Sequence, residues 1–231
     1  CLGRCDQAPA AAIDHQIVDA ADLEAVSVAV SGIGSRPERP VRDWTEADPY
    51  SGAGPGDAFR ILRAVLEGAR EAPIAELDSA GLRGMGGAGF PTARKWSLVA
   101  AEAAAPKHVV CNADESEPGT FKDRELLHDL PHLVLEGMAI AAYCVGAERG
   151  TVFIRHEYEP ERKRLETAIA AARTAGVLGQ NIFGSDFSFD VDVFVSPGGY
   201  ILGEETALLE CMEGRRGEPR NKPPFPGSIG L

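Results

Sequence analysis

The sequence predicts an α/β fold in which helices flank a mostly parallel β-sheet. Three short stretches rich in β-branched and aromatic residues, at 108–111, 151–154 and 189–195, have the composition of buried strands. Apolar residues recur at helical spacing between them, at 131–146 and 160–174. Strands that alternate with helices are typical of a parallel sheet, so we expect the three strands to lie side by side.

Weaker patterns predict the remaining elements. Residues 10–18 have a strand pattern, and residues 21–30 have a helical one. Apolar residues from Phe59 onward recur at helical spacing behind Asp57, a candidate cap. Further helices are expected from Thr92, which could be an N-cap, and at 204–212.

The composition divides the chain into three parts. Residues 32–56 are rich in Gly, Pro and charge and contain few apolar residues, so we expect a linker there. It separates an N-terminal piece, 1–31, from a larger domain, 57–231. Because the chain starts at Cys1 and stops just after a Pro-rich stretch, we expect a fragment at both ends.

Charge and cysteine content limit the possible partners and compartments. The formal net charge of −12 argues against binding to nucleic acid, which depends on clustered Lys and Arg. There is no apolar run near the length of a membrane span, so no direct membrane insertion is expected. The five cysteines are irregularly spaced and no signal peptide is evident, which favours a cytoplasmic protein.

The most informative stretch is SAGLRGMGGAGFPTARKW, at 79–96. Gly84, Gly86 and Gly89 satisfy the pattern G-x-G-x-x-G, and such a backbone can approach a planar ring or a phosphate closely. A dinucleotide-binding Rossmann turn follows a strand, whereas the preceding residues look like the end of a helix, so that interpretation is disfavoured. A turn that only links two elements is the other alternative.

Two further turns follow predicted strands. NADESEPGT, at 112–120, places three carboxylates within four residues, and carboxylates accept strong hydrogen bonds from sugar hydroxyls or ring N–H groups. A solvated acidic turn is the alternative. SPGGYILGEET, at 196–206, combines glycines, an aromatic residue and two Glu at a helix start, where acids also have a purely structural role. Together the three turns predict one nucleotide site.

Several long motifs carry a resemblance to a known family. GLRGMGGAGFPTARKW, CNADESEPGTFKDR, LGQNIFGSDFSFD, GGYILGEETALLECMEG and RNKPPFPGSIGL occur in that order over residues 56–231. They resemble the FMN- and NADH-binding flavoprotein subunit of respiratory complex I. The same module occurs in NAD-dependent formate dehydrogenases and in the diaphorase part of NAD-reducing hydrogenases. The resemblance implies a Rossmann-like sheet.

The resemblance also implies which residues form the site. The expected FMN contacts are Gly84, Gly86, Gly87, Gly89, Lys95, Asn112, Asp114, Glu115, Gly203 and Glu204. The expected NADH contacts are Phe90, Glu117, Gln180, Phe183, Tyr200 and Glu205. Phe90 and Phe183 would flank the adenine, although a core position is the alternative for Phe183.

Three positions depart from the family pattern. Met85 stands where Arg is common, which removes a charge but leaves the glycines. Gln180 stands where a Lys often reaches the dinucleotide, so that contact becomes neutral. Leu202 replaces a common Cys, which matters little if this side chain only packs.

The N-terminal sequence CLGRCDQAP resembles part of a thioredoxin-like [2Fe-2S] domain. Residues 1–31 would be the C-terminal remnant of that domain, and Cys1 and Cys5 would be two of its four cluster ligands. The family usually continues into a [4Fe-4S] domain, which we expect in a C-terminal part beyond this chain.

The resemblance implies an NADH dehydrogenase, or diaphorase, module. Hydride would pass between NADH and FMN, and electrons would continue to iron–sulfur clusters; no side chain is expected to act as a nucleophile. The fused [2Fe-2S] end favours a soluble formate dehydrogenase or hydrogenase complex over complex I. The expected partners are other iron–sulfur and catalytic subunits. The rivals are a nucleotide-binding assembly module without catalysis and a Rossmann dehydrogenase.

Overall fold

The structure is a computed structural model, and it describes residues 9–13, 16–32 and 59–231. The expected cluster ligands Cys1 and Cys5, the candidate cap Asp57 and residues 33–56 of the expected linker lie outside the described residues. The boundaries expected for the three parts of the chain therefore stay predictions.

The N-terminal piece contains a β-hairpin and a helix. Strands β1 (Ala10–Ile13) and β2 (Gln16–Asp19) pair antiparallel, with Ala10 opposite Asp19. The sequence predicts one strand over 10–18, and this was wrong because the chain reverses and pairs with itself. Helix α1 (Leu23–Ser31) follows, and the Asp22 carboxylate accepts the amides of its first turn.

The main sheet has three parallel strands in the order β3, β4, β5. These are β3 (His108–Ala113), β4 (Arg149–Arg155) and β5 (Asp190–Ser196). The register pairs Ala113 with Ile154 and Ile154 with Val195, so all three strands end at the same edge. The predicted α/β fold with a parallel sheet is confirmed, and each strand differs slightly in its bounds from its sequence pattern.

Helices connect the strands and cover the sheet. They are α2 (Arg60–Leu66), α3 (Glu71–Ser79), α4 (Thr92–Ala101), α5 (Lys122–Asp129), α6 (Pro131–Val145), α7 (Glu159–Thr174) and α8 (Glu205–Met212). Helix α6 begins with Pro131 in its first turn and stops at Gly146, whose φ of 76° is left-handed. Both ends agree with the prediction.

Two local predictions differ from the structure. Thr92 is the first helical residue of α4 and not its cap, because Pro91 occupies the N-cap position and provides no side-chain acceptor. Helix α5 has no counterpart among the predicted elements. Its buried residues include Arg124 and His128, so its inward face is partly polar and the hydrophobic period is hidden.

The core lies on both faces of the sheet. Val152 and Ile154 of β4 belong to a large apolar cluster with α6 and α7, and both are fully buried. Phe153 points to the opposite face, where it stacks on Phe194 and packs with Leu208 of α8. A sheet covered on both faces leaves its strand ends as the accessible place for a ligand.

Gly150, in the central strand β4, is packed so closely that it leaves no room for a larger side chain. A Cβ at this position would lie 2.6 Å from the Phe189 ring and 3.1 Å from the Met138 methyl group. We therefore expect Gly150→Ala to lower the free energy of unfolding by about 1–3 kcal/mol, measured by urea denaturation. The control is Gly137→Ala at an exposed position of α6, where nothing lies within 4 Å and Ala should stabilise the helix by about 0.5–1 kcal/mol. Equal effects of both substitutions would contradict the packing account.

Candidate functional site

The turns after β3 and β5 meet at the carboxyl edge of the sheet. The Asn112 side chain donates a hydrogen bond from Nδ2 to the carbonyl oxygen of Gly203 over 2.8 Å. Gly203 lies so close to the other turn that a Cβ there would be 3.1 Å from the Asp114 carbonyl oxygen. The two turns therefore form one continuous surface, and a larger residue at Gly203 would separate them.

A second hydrogen bond joins the same two turns. The Tyr200 hydroxyl donates to a Glu117 carboxylate oxygen over 2.5 Å. This hydrogen bond and the Glu117 charge both raise the pKa of Tyr200 above its ordinary value. Because the Tyr200 ring is exposed, one aromatic face is free for a planar ligand beside the carboxylate.

The glycine loop, residues 84–90, is closed at its base by hydrogen bonds and open at its tip. The Gly84 amide donates to the Phe90 carbonyl over 3.0 Å, and Arg83 Nη1 donates to the Gly89 carbonyl over 3.0 Å. A Cβ added at Gly86, Gly87 or Gly89 would have no atom within 4 Å. A ligand can therefore approach the backbone at the tip.

The local context of this loop excludes the ordinary Rossmann turn. Helix α3 (Glu71–Ser79) precedes the loop, and the short contact between Arg83 and Pro91 is an isolated bridge outside the parallel sheet. A dinucleotide-binding Rossmann turn follows a strand of the sheet directly. The rejection of that interpretation from sequence agrees with the structure.

Two lysines link helix α4 and the Pro-rich segment near residue 222 to the start of α8. Lys95 Nζ lies 3.9 Å from Glu205, and Lys222 Nζ lies 2.6 Å from Glu205 and 3.1 Å from Glu204. The hydrogen bond to Glu205 is the main reason that the pKa of Lys222 is raised. The three elements therefore share one network of two cations and two anions.

Lys222 is a site residue that the sequence analysis did not assign. It stands in the motif RNKPPFPGSIGL, which contributed to the family resemblance but received no role. The same motif places Phe225 three residues later, with 61% of the residue exposed. A lone Lys in a Pro-rich segment has no secondary-structure signal, so only its ion pairs with Glu204 and Glu205 identify it.

Glu204 is the N-cap of α8. Its Oε2 accepts the amides of Thr206 and Ala207 at 2.9 Å each, as well as the Thr206 hydroxyl. Partial burial opposes ionisation, but the hydrogen bonds from Thr206, Ala207 and Lys222 outweigh it and lower the pKa of Glu204. The structural role considered for this carboxylate is therefore present in the structure.

One carboxylate oxygen of Asp114 is a candidate acceptor for a hydrogen bond from a ligand. The residue is 8% exposed, and its Oδ2 accepts the Ser116 hydroxyl over 2.5 Å. Its Oδ1 is buried and has no hydrogen-bond partner among the described residues. Burial raises the pKa of Asp114, and the Ser116 hydroxyl, the Arg155 charge and the nearby Ser196 hydroxyl offset this only in part. The Ser196 hydroxyl does not meet hydrogen-bond geometry with Oδ1. A donor from a bound molecule would satisfy this oxygen.

The Glu115 side chain turns away from this surface. Its carboxylate accepts the amides of Asp123 at 2.9 Å and Arg124 at 3.2 Å, at the start of α5, and the hydroxyl of Tyr158 at 3.0 Å. Only 1% of the side chain is exposed. The structure thus gives this carboxylate protein partners, and it lends no support to a direct contact between the Glu115 side chain and FMN.

The remaining expected residues lie in two places. Phe90 ends the glycine loop and is partly exposed, with the Arg94 guanidinium 6.0 Å from its ring centre. Phe183 instead has Arg63 of α2 4.5 Å above its ring, in a cavity of about 570 Å³, and Gln180 accepts a hydrogen bond from Ser188. The structure thus leaves Phe90 exposed at the end of the glycine loop and places Gln180 and Phe183 in the segment that precedes β5.

The cap at Glu204 predicts a specific pH dependence. Its pKa in the folded protein lies below the ordinary value of 4.5, so its stabilising contribution is present above pH 4.5 and is lost as the pH falls through the folded pKa. We expect Glu204→Ala to lower the free energy of unfolding at pH 7 by about 0.5–2 kcal/mol.

Urea denaturation between pH 7 and pH 3 checks this expectation, and the difference between Glu204→Ala and the unmodified protein should shrink at acidic pH. Glu148→Ala is the control because Glu148 is exposed and lies just before β4, at the opposite edge. Its effect at pH 7 should stay within about 0.5 kcal/mol. A difference for Glu204→Ala that is constant across the pH range would contradict the assignment.

Comparison with known proteins identifies relatives for most of the chain. The family profile described as the Nuo51 FMN-binding domain matches residues 77–231. The chain is 51% identical over 177 residues to a subunit of the NADH-quinone oxidoreductase of Rhizobium meliloti, which covers 76% of this chain and 42% of the relative. It is 55% identical over 150 residues to the HndC component of the NADP-reducing hydrogenase of Solidesulfovibrio fructosivorans, which covers 65% of this chain and 30% of the relative.

Solved structures give the same result. The crystal structure of an NAD⁺-reducing [NiFe]-hydrogenase in the H₂-reduced state matches with a TM-score of 0.78 and 33% identity, over 98% of this chain and 40% of the other. The chain thus spans less than half the length of the relatives described here. Since the profile covers more than half of the chain and includes the glycine loop and both strand-end turns, this protein belongs to the Nuo51 FMN-binding domain family.

Proposed function

We propose that this chain is an NADH dehydrogenase module that binds FMN and NADH at the carboxyl edge of its parallel sheet. The observation that supports this most is the contact between the turns after β3 and β5, through Asn112 with Gly203 and Glu117 with Tyr200. These turns carry a buried Asp114 oxygen that has no hydrogen-bond partner among the described residues, and Lys95 of α4, the helix after the open glycine loop, pairs with Glu205. The family membership of residues 77–231 supports the same site.

The FMN side of the site consists of backbone and short polar groups. Gly84, Gly86, Gly87 and Gly89 allow the loop backbone to approach the cofactor, and Lys95 supplies a positive charge to an anionic part of it. Asn112 holds the carbonyl of Gly203 in place. Asp114 Oδ1 is the acceptor for a donor on the cofactor.

The NADH side consists of aromatic and charged groups. The exposed faces of Phe90 and Tyr200 suit planar rings, and the Glu117 and Glu205 carboxylates suit ribose hydroxyls or an amide. Lys222 belongs to this side because it neutralises Glu205 and can meet an anionic dinucleotide. Roles for Gln180 and Phe183 in NADH binding stay predictions, since both contact other parts of the chain.

When bound at this site, FMN would supply the chemistry that takes up a hydride from NADH and passes the two electrons singly to one-electron acceptors. The protein groups then have two tasks. The Glu117–Tyr200 hydrogen bond joins the two turns, and it would help to keep the residues on both turns in place around the bound cofactor and substrate. Lys95 and Lys222 pair with Glu204 and Glu205, which would reduce the negative charge that an anionic cofactor and substrate meet at the start of α8.

The proposed electron acceptors are iron–sulfur clusters in a larger assembly. The relatives include subunits of an NADH-quinone oxidoreductase and of hydrogenases, so their names indicate multi-subunit enzymes. We propose that residues 1–31 are a thioredoxin-like remnant in which Cys1 and Cys5 hold part of a [2Fe-2S] cluster, and that a [4Fe-4S] cluster lies beyond this chain. Formate dehydrogenase, hydrogenase and complex I are the candidate assemblies.

The described residues contain no helix long and apolar enough to cross a bilayer. This finding is compatible with a module that receives NADH from an aqueous compartment, which we propose is the cytoplasm.

Flavin spectroscopy of the purified protein tests the proposed function. We expect an oxidised flavin absorbance band at close to one FMN per protein, and anaerobic addition of NADH should bleach it. A protein that binds flavin but is not bleached would be a nucleotide-binding assembly module. A protein that binds no flavin after incubation with FMN would contradict the proposal.

Glu117 gives the sharpest test of the NADH side. We expect Glu117→Ala to lower kcat/KM for NADH-dependent ferricyanide reduction by about tenfold or more while FMN stays bound, since one charge-assisted contact is lost. Flavin content is measured in parallel by absorbance.

Glu148→Ala is the matched control because it removes the same charge from the opposite edge of the sheet. Its kinetics should equal those of the unmodified protein. Unchanged ferricyanide kinetics in Glu117→Ala would exclude Glu117 from the NADH site.

A further inference from the structure

The buried residue Glu115 is bound by two residues of the segment that joins β4 to α7. Arg155 Nη1 donates to the Glu115 carbonyl oxygen over 2.6 Å, and the Tyr158 hydroxyl donates to its carboxylate over 3.0 Å. Tyr158 is fully buried and Arg155 is 6% exposed. Backbone and side chain of Glu115 are therefore both bound by groups that solvent cannot replace.

The holding groups are themselves fixed. Arg155 also binds the Glu157 carboxylate, through Nη2 at 2.6 Å and Nε at 3.2 Å, and its guanidinium carbon lies 5.4 Å from the centre of the Tyr158 ring. The Tyr158 amide donates to the Arg155 carbonyl over 3.1 Å. A planar guanidinium with several partners cannot shift without breaking them together.

The neighbours of Glu115 in the chain are the residues that face the proposed cofactors. Asp114 precedes it and has the carboxylate oxygen without a partner among the described residues, and Glu117 follows two positions later with its hydrogen bond to Tyr200. Any displacement of Glu115 would move both groups. In a site where geometry decides the rate, a displacement of about 1 Å is enough to cost roughly 100-fold.

We propose that Arg155 and Tyr158 are positioning residues of the flavin site, which act on it through Glu115. They contact neither cofactor; they set the position of the turn that carries Asp114 and Glu117. We call Arg155 and Tyr158, together with Glu115, the clamp. Glu115 connects the clamp to α5, because its carboxylate also accepts the first amides of that helix. This inference rests on the proposed function, since it assumes that the turn faces FMN.

The chain offers a matched pair of variants to test the proposal. Tyr158 and Tyr143 are both buried, and each hydroxyl donates one hydrogen bond, that of Tyr143 to the Gly68 carbonyl over 2.9 Å. Each ring also has an arginine above it, Arg70 at 5.0 Å from Tyr143. Tyr158→Phe and Tyr143→Phe each remove one hydroxyl from a buried ring that has an arginine above it, but the lost acceptor is a site carboxylate in the first and a distant backbone carbonyl in the second.

The measurement is the Kd for FMN of the flavin-depleted protein, from quenching of FMN fluorescence, together with the thermal unfolding midpoint without FMN. We expect both variants to unfold at lower temperature than the unmodified protein. Only Tyr158→Phe should weaken FMN binding, by about tenfold, because it removes one of the hydrogen bonds that hold the buried Glu115 carboxylate and the turn that carries it. Tyr143→Phe should keep the Kd within about twofold.

Three outcomes are decisive. Equal Kd values for the two variants would overturn the positioning role while leaving the proposed function intact. Failure of the unmodified protein to bind FMN would instead overturn the proposed function itself. If Tyr158→Phe does not fold, Arg155→Lys replaces it, since a shorter cation loses the contact with the Glu115 carbonyl, and the same tenfold criterion decides.

Discussion

The buried carboxylate of Glu115 is the interaction on which the site depends most. It joins the turn after β3 to the start of α5 and to Tyr158, the N-cap of α7, which is 43 residues away in sequence. A buried carboxylate is costly unless its oxygens are hydrogen-bonded, and here amides and a tyrosine hydroxyl satisfy them. The requirement to satisfy this one group therefore determines the path of the chain around it.

The parallel register of the sheet places the clamp at the same edge as the proposed site. Because β3, β4 and β5 run in the same direction, their carboxyl ends bring Glu117, the clamp and Tyr200 to a single edge. An antiparallel arrangement would divide these groups between opposite edges. The same edge also receives Lys95 from the helix after the glycine loop, which pairs with Glu205 at the start of α8.

The sequence was sufficient to predict the sheet, because β-branched strands separated by amphipathic helices have a strong periodic signal. It did not predict α5, whose inward face includes Arg124 and His128, nor the reversal between β1 and β2. At the site, the family motifs were enough to propose roles for the glycines and Glu117. The different surroundings of the Asp114 and Glu115 side chains could not be predicted, since adjacent acidic residues look equivalent in a sequence until their hydrogen-bond partners are known.

The same limit applies to Lys222 and Phe183. Lys222 stands in a Pro-rich segment without a period, and only its contacts with Glu204 and Glu205 reveal that it belongs to the site. Phe183 stands in a motif shared with the family, but its ring packs under Arg63 of α2. Sequence motifs establish that a segment matters, whereas the direction of each side chain depends on tertiary contacts.

The measurement that tests this account most directly is an experimental structure of the protein with FMN bound. The account predicts that the flavin lies among the glycine loop, the turn that carries Asp114 and the turn that carries Gly203, with the Glu115 carboxylate still bound to Tyr158 and to the first amides of α5. Flavin at another place, or a Glu115 side chain that has left Tyr158 to contact the cofactor, would contradict it.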